Sequence, residues 1–174
     1  MNITKRPVRF FNTTGPCNPY DHYMLPPEER LVGAQLHRYI RDRLYWVLHA
    51  PRQTGKTTFL KSWMQEINSG AFREEAVACY VSIETCQGMD IENAMLTLCS
   101  ALRTQAERQN IPVPDIIANT PPGDMLNVIL SRWAGLVAPK PLIVLFDEVD
   151  VLEGAAMISF LRQLRSGFAE RGPG

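Results

Sequence analysis

Apolar positions in this chain gather into short runs that alternate with helical stripes. The runs are Leu44-Tyr45-Trp46-Val47-Leu48-His49, Ala76-Val77-Ala78-Cys79-Tyr80-Val81-Ser82-Ile83 and Leu142-Ile143-Val144-Leu145-Phe146. Runs of this length, bounded by turn residues, predict strands, and near-continuous ones predict burial on both faces. The stripes recur at spacings of one, three and four, which predicts helices with one buried face. They are Leu36, Tyr39, Ile40 and Leu44; Phe59, Leu60, Trp63, Met64 and Ile67; Ile91, Met95, Leu98, Leu102 and Ala106; Leu126, Ile129, Leu130, Trp133 and Val137; and Met157, Ile158, Leu161, Leu164 and Phe168. Strands alternating with helices predict an α/β fold with a parallel sheet covered on both faces.

Punctuation residues fit the same division. Pro26-Pro27-Glu28-Glu29-Arg30 opens a helix, with Pro27 near its first turn and acids at the positive end of its dipole. Gly70, after Asn68-Ser69, suits a left-handed cap. Asp124 and Asp150 are placed to cap the helices that follow them. Pro139-Lys140-Pro141 stops the fourth stripe. Residues 1–27 are rich in Pro, Asn, Thr and Gly but also hold Phe10, Phe11, Tyr20 and Tyr23. That aromatic content predicts an arm packed on the domain rather than a disordered tail. Residues 28–174 form the rest.

Composition changes little. The 174 residues suffice for one domain with a sizeable core, and 45% apolar with 21% charged is ordinary for a globular protein. Lys+Arg and Asp+Glu balance at 18 each. No global field therefore steers the chain to nucleic acid or anionic membrane, so association with DNA draws no support from net charge. No apolar run approaches the ~20 residues that span a bilayer, and no apolar core follows the basic N-terminus as in a secretory signal. Cys17, Cys79, Cys86 and Cys99 show neither C-x-x-C nor zinc-finger spacing. Reduced thiols in a cytoplasmic protein are the expectation.

The chemistry is concentrated in two runs. Ala50-Pro51-Arg52-Gln53-Thr54-Gly55-Lys56-Thr57 fits the Walker A pattern G-x-x-x-x-G-K-[ST] except for Ala50 in place of the first Gly. With Thr58 these residues are the candidate nucleotide contacts. Backbone N–H groups at a helix N-terminus make an anion cradle, and Gly55 lets the backbone approach phosphate. Lys56 supplies a point charge to the β- and γ-phosphates, and the Thr57 hydroxyl is suited to Mg²⁺. Ala50 can stand in for Gly if its φ is negative. Arg52 either touches phosphate or points to solvent.

The second run, Leu142 to Glu148, ends a strand in Asp147-Glu148, as a Walker B motif does. At the carboxyl edge of a parallel sheet, Asp147 can hold Mg²⁺ through water and Glu148 can polarise the attacking water. Catalysis therefore falls to Lys56 and Glu148, and the metal to Thr57 and Asp147. The carboxylate after the Asp indicates hydrolysis rather than transfer to a small-molecule acceptor. His22, His37 and His49 have no ligand spacing, and His49 is expected to be a packed or hydrogen-bonded strand-end residue. Glu84, ending the second run at the sheet's carboxyl edge, either senses the γ-phosphate side or, the favoured reading, is a loop acid with no role. Arg162, Arg165 and Arg171 are either solvated or one of them acts as an arginine finger. Trp63 and Trp133 are expected in the core.

The arm from Arg9 to Pro19, the run His22-Tyr23-Met24-Leu25-Pro26-Pro27, the Walker A run and Leu145-Phe146-Asp147-Glu148-Val149-Asp150 together resemble bacterial and archaeal AAA-like ATP-binding proteins. So does Leu161-Arg162-Gln163-Leu164-Arg165. The resemblance implies a P-loop NTPase core with three α/β/α layers, ATP and Mg²⁺ as cofactors, and an arm lining the adenine pocket around Pro19 to Gly33. It also implies Glu148 as general base, and relatives acting as switches or motors, some with DNA-associated partners. The sensor strand and lid of such ATPases are expected after the acidic pair, so the core reads as partial on its C-terminal side. ATP hydrolysis is then expected in the full-length context, and a nucleotide-gated interaction module without efficient hydrolysis is the alternative. Protein partners or self-oligomers stay open, and a small-molecule kinase is disfavoured by the acidic pair.

Overall fold

The computed structural model describes residues 8–13, 15–18, 20–24, 36–70, 72–117 and 119–169. The helix start at Pro26-Pro27, most of the expected adenine pocket, Arg171 and the Gly172-Pro173-Gly174 end lie outside the described residues. The described residues hold five α-helices: α1 (Leu36–Arg41), α2 (Lys56–Ser69), α3 (Ile91–Arg108), α4 (Met125–Val137) and α5 (Gly154–Ala169). They also hold two strands, β1 (Val77–Ser82) and β2 (Leu142–Asp147), with 3₁₀ turns at Glu84–Cys86 and Val149–Val151. The chain divides into two compact units, Met1–Trp63 and Met64–Gly174.

In the second unit β1 and β2 pair in parallel, with Val77 opposite Leu142 and Ser82 opposite Asp147. The fold is thus mixed α/β with a two-stranded parallel sheet. One sheet face carries Cys79, Val81 and Ile83, with Val144 and Phe146 beside them. These join Met95, Leu98, Cys99, Leu102, Leu126, Ile129 and Trp133 in one core with α3, α4 and α5. Each fully buried large side chain there contributes about 1.5–3 kcal/mol relative to exposure. Trp133 is fully buried, as its place in an apolar stripe predicts, and its indole N–H donates to the Pro112 carbonyl.

The two edges of the sheet differ. Val77 donates to the Pro141 carbonyl at 3.0 Å and Ile83 to that of Asp147 at 3.1 Å. That parity turns the backbone groups of Ala78 and Tyr80 outward. Asn68 accepts from the Ala78 N–H at 2.8 Å and donates to its carbonyl at 2.7 Å. Gln109 does the same for Tyr80, at 3.1 Å and 2.8 Å. Two carboxamides thus occupy the outer edge of β1 as a partner strand would, protecting an edge that could otherwise pair with another chain. On the outer side of β2 the corresponding groups belong to Val144 and Phe146, which meet no hydrogen-bond partner among the described residues.

In the first unit, Phe10 and His22 form a parallel bridge, and Cys17 donates its N–H to Thr58 Oγ1 at 3.1 Å. The rings of Phe10, Phe11, Tyr20 and Tyr23 are exposed. The rings of Tyr39, Trp46, Trp63 and Phe59 follow one another at centroid distances of 5.9, 5.2 and 5.9 Å. Trp63 is buried, as its stripe predicts.

Several expectations need correction. Residues 44–49 form no strand, and Val47 is 89% exposed. A strand is a property of a pair, and among its described residues this unit offers the run no ladder. Leu44 also leaves the helical stripe: its N–H bonds the Tyr39 carbonyl and that of Arg43 bonds Ile40, a Schellman closure with Arg43 left-handed at φ 51°. Gly70 is not left-handed. It is needed for close approach, since a Cβ there would lie 2.6 Å from the Glu66 carbonyl oxygen.

The helix caps and the last stripe differ too. Asp124 precedes α4 but makes no side-chain cap, and Asp150 sits within a 3₁₀ turn rather than ahead of α5. The N-terminal N–H groups of α4 are met instead by Gln163 of α5, whose Oε1 accepts from Leu126 at 2.7 Å and Asn127 at 3.3 Å. Its Nε2 donates to the Pro122 carbonyl at 3.0 Å and to Ser159 Oγ at 3.1 Å. Drawing Gln163 inward turns α5 so that Ala156, Ser159 and Phe160 are buried with it, while Ile158, Leu161 and Phe168 are exposed. Met157 and Leu164 remain partly buried, as their stripe predicts.

Candidate functional site

The Walker-like run follows a stretch without regular secondary structure and ends in α2. Residues 52–53 form a turn, 54–55 a bend, and α2 starts at Lys56. Gly55 has φ 84°, a conformation that an L side chain resists. Among the described residues the non-glycine positive φ values fall at Arg43, Gln53, Asn110, Asn119 and Glu148. Ala50 is therefore in ordinary backbone space, and its methyl costs the loop no strain.

Polar contacts draw the loop together. Lys56 Nζ donates to the carbonyls of Ala50 at 2.8 Å and Pro51 at 3.0 Å. Thr54 Oγ1 donates to the Pro51 carbonyl at 2.8 Å. An ammonium has three donors and no acceptor. Two of them here cap loop carbonyls, bonds that an anionic ligand would have to outbid. Thr57 and Thr58 lie in the first turn of α2, partly buried, with Thr58 Oγ1 facing the Cys17 N–H. Arg52 and Gln53 are exposed, so Arg52 points to solvent.

The acidic pair is built differently. Asp147 is the last residue of β2 and only 6% exposed, on the sheet face opposite the α3–α5 core. Tyr80 lies opposite Leu145 in the register, so Asp147 is its diagonal neighbour on the same face, within reach of an aromatic side chain. The Tyr80 hydroxyl donates to Asp147 Oδ2 at 2.9 Å, and the Glu148 N–H donates to Oδ1 at 3.1 Å. Burial first, and the Asp147 charge second, push the Tyr80 phenol above its ordinary range. Glu148 has φ 59° and ψ 38°, with its side chain exposed. A glutamate held left-handed at the end of a strand carries strain of order 1–3 kcal/mol, a feature that concentrates at functional sites.

Sequence reasoning missed Tyr80 as a partner of Asp147 and Gln109 as the clamp on Tyr80. Parity along the β1 run could have put Tyr80 on one face, but no local signal ties it to a residue 67 positions away. Glu84 is exposed at the start of its 3₁₀ turn, and Arg162 and Arg165 are exposed on α5. His49 is exposed and lies on no strand, against expectation, because the run that was to carry it forms none. The four cysteines are free thiols, three of them buried.

A depression of about 440 Å³ beside Met89, Asp90, Glu92 and Glu153 holds none of the candidate residues. Among the described residues no group of three or more His, Cys, Asp or Glu could hold a metal. A Mg²⁺ ion that binds through one or two carboxylates and substrate phosphates needs no such cluster, and the Asp147 carboxylate is a donor of that type. Among the described residues no helix is long and apolar enough to cross a membrane. Comparisons with family models, with curated proteins and with solved structures return no match.

Proposed function

We propose that this chain binds ATP with Mg²⁺ through the loop 50–58, as a P-loop domain of AAA type with three α/β/α layers. The observation that carries the reading is the loop itself: a left-handed Gly55 at the start of α2, with Lys56 folded back onto the carbonyls of Ala50 and Pro51. On this reading Lys56 exchanges those carbonyls for β- and γ-phosphate oxygens, and the N–H groups opening α2 meet the remaining charge. Thr57 and Asp147 hold the metal, which when bound would neutralise charge on the phosphates. Glu148 takes a proton from the attacking water as general base.

The strained backbone at Glu148 supports a functional part for that residue, since no packing gain on an exposed side chain offsets it. The same exchange at Lys56 would equally serve a nucleotide-gated interaction module that does not turn over.

Calorimetric titration with ATP and Mg²⁺ tests the site. Lys56→Ala is expected to lower affinity more than about a hundredfold, near 2.7 kcal/mol, and normal affinity in that variant overturns the proposal. Glu148→Gln is expected to keep binding and stop any turnover. A multiple-turnover phosphate-release assay on the parent, with and without DNA, then separates an ATPase from a switch.

A further inference from the structure

We propose that Tyr80 is the positioning residue of the Asp147 carboxylate, and that Gln109 sets Tyr80 from the edge of the sheet. The inference rests on the nucleotide reading, because it concerns the residue assigned there to the metal. Three observations carry it. The Tyr80 hydroxyl and the Glu148 N–H take one carboxylate oxygen each, which together orient the plane of the group about its terminal torsion. Tyr80 and Asp147 are 8% and 6% exposed, so the bond between them is shielded from competing water. Both backbone groups of Tyr80 are held by a single carboxamide, that of Gln109.

An ionised carboxylate offers about four acceptor sites on its two oxygens. Two donors, one on each oxygen, define the orientation in which the Asp147 carboxylate would meet a hydrated cation. Outer partners of this kind orient metal ligands, and their loss typically lowers metal affinity about 10–100-fold. A tyrosine present only for packing would act through its ring, and its hydroxyl would be dispensable to the metal.

Tyr80→Phe keeps the ring and removes the donor. ATP binding is measured by calorimetry in excess chelator and again over a Mg²⁺ series. The expected result is chelator-condition affinity within about twofold of the parent, with the Mg²⁺ needed for half-maximal enhancement raised about tenfold. Gln109→Ala leaves the hydroxyl in place and is expected to shift the Mg²⁺ requirement in the same direction by about threefold. It carries the test if the Phe variant does not fold.

A tyrosine absorbance change on adding Mg²⁺ and ATP, present in the parent and diminished in Tyr80→Phe, is the independent readout. An unchanged Mg²⁺ requirement, or equal losses with and without metal, overturns the role of Tyr80 alone. A parent that binds no ATP in either condition overturns the nucleotide reading, and this inference with it.

Discussion

The loop at 50–58 and the acidic pair at 147–148 share a backbone signature and differ in their surroundings. Each contains one non-glycine residue at φ 59°, Gln53 in the loop and Glu148 in the pair. Around the loop, the bonds of Thr54 and Lys56 span no more than six positions, and its tip is exposed. Around the pair, the decisive bond comes from Tyr80, 67 positions away, and is buried. A site made of local bonds can rearrange when a ligand arrives. A site held by tertiary bonds is set before any ligand is present. Lys56 is in the first situation and Asp147 in the second, so the two runs should respond differently to damage elsewhere in the chain.

The largest test of that difference is Gln163→Ala. Gln163 is 3% exposed and joins α4, α5 and the loop before α4 through bonds to Leu126, Asn127, Pro122 and Ser159. Removing it strands buried backbone groups, each worth about 1–3 kcal/mol, so urea unfolding should show a loss of about 3 kcal/mol. Asp124→Ala, at a position sequence alone favours as the cap, should cost under about 0.5 kcal/mol, because its side chain makes no cap bond. In the loop, Thr54→Ala removes one exposed bond and should also stay below about 0.5 kcal/mol. Equal losses from Gln163 and Thr54 would erase the contrast.

Acidity of the buried thiols gives a second test, of intermediate size. Burial pushes Cys79 and Cys99 up to about 12. The folded chain then keeps those protons to higher pH than the unfolded chain does. Their contribution to stability is full below the unfolded thiol range, near pH 8.5, and is lost as pH rises from there toward the folded value. The fall is at most about 1.4 kcal/mol per pH unit for each thiol. Urea midpoints at several alkaline pH values measure it, and replacing both thiols with Ala should flatten the dependence. Cys17, half-buried in the first unit, should react with a thiol reagent at neutral pH well before the three buried ones.

Legibility in the sequence followed the range of the interaction concerned. The apolar runs of β1 and β2 and the stripes of α2, α3 and α4 were readable, because burial on one or both faces writes itself into periodicity. The cap of α3 obeys local chemistry, with Asp90 accepting from the Asn93 N–H at 2.9 Å. The cap of α4 does not, since its acceptor lies 37 positions on from Leu126. The buried face of α5 is hidden from the sequence for the same reason: an inward glutamine looks polar in a helical wheel, and Leu161 looks apolar. Residues 44–49 carry the composition of a strand, yet pairing is not a property of composition. Of the candidate site, the lysine, the glycine and the two acids were legible. The phenol behind Asp147 was not, because cross-strand diagonals depend on register.

The smallest effect isolates the signature that loop and pair share. A left-handed conformation costs a non-glycine residue about 1–2 kcal/mol, whereas glycine returns about 0.5–1 kcal/mol through the entropy of the unfolded chain. Gln53→Gly and Glu148→Gly should therefore each raise stability slightly, by about 0.5–1 kcal/mol, in urea unfolding monitored by circular dichroism. Neither side chain is buried, so no packing loss should mask the gain. The two variants should part in function. Glu148→Gly removes the carboxylate and should abolish any turnover despite the firmer fold, while Gln53→Gly leaves Gly55 and Lys56 in place and should bind ATP within about threefold of the parent. Should Glu148→Gly destabilise instead, the glutamate would be held by interactions stronger than its strain, and its backbone would no longer single it out as a functional residue.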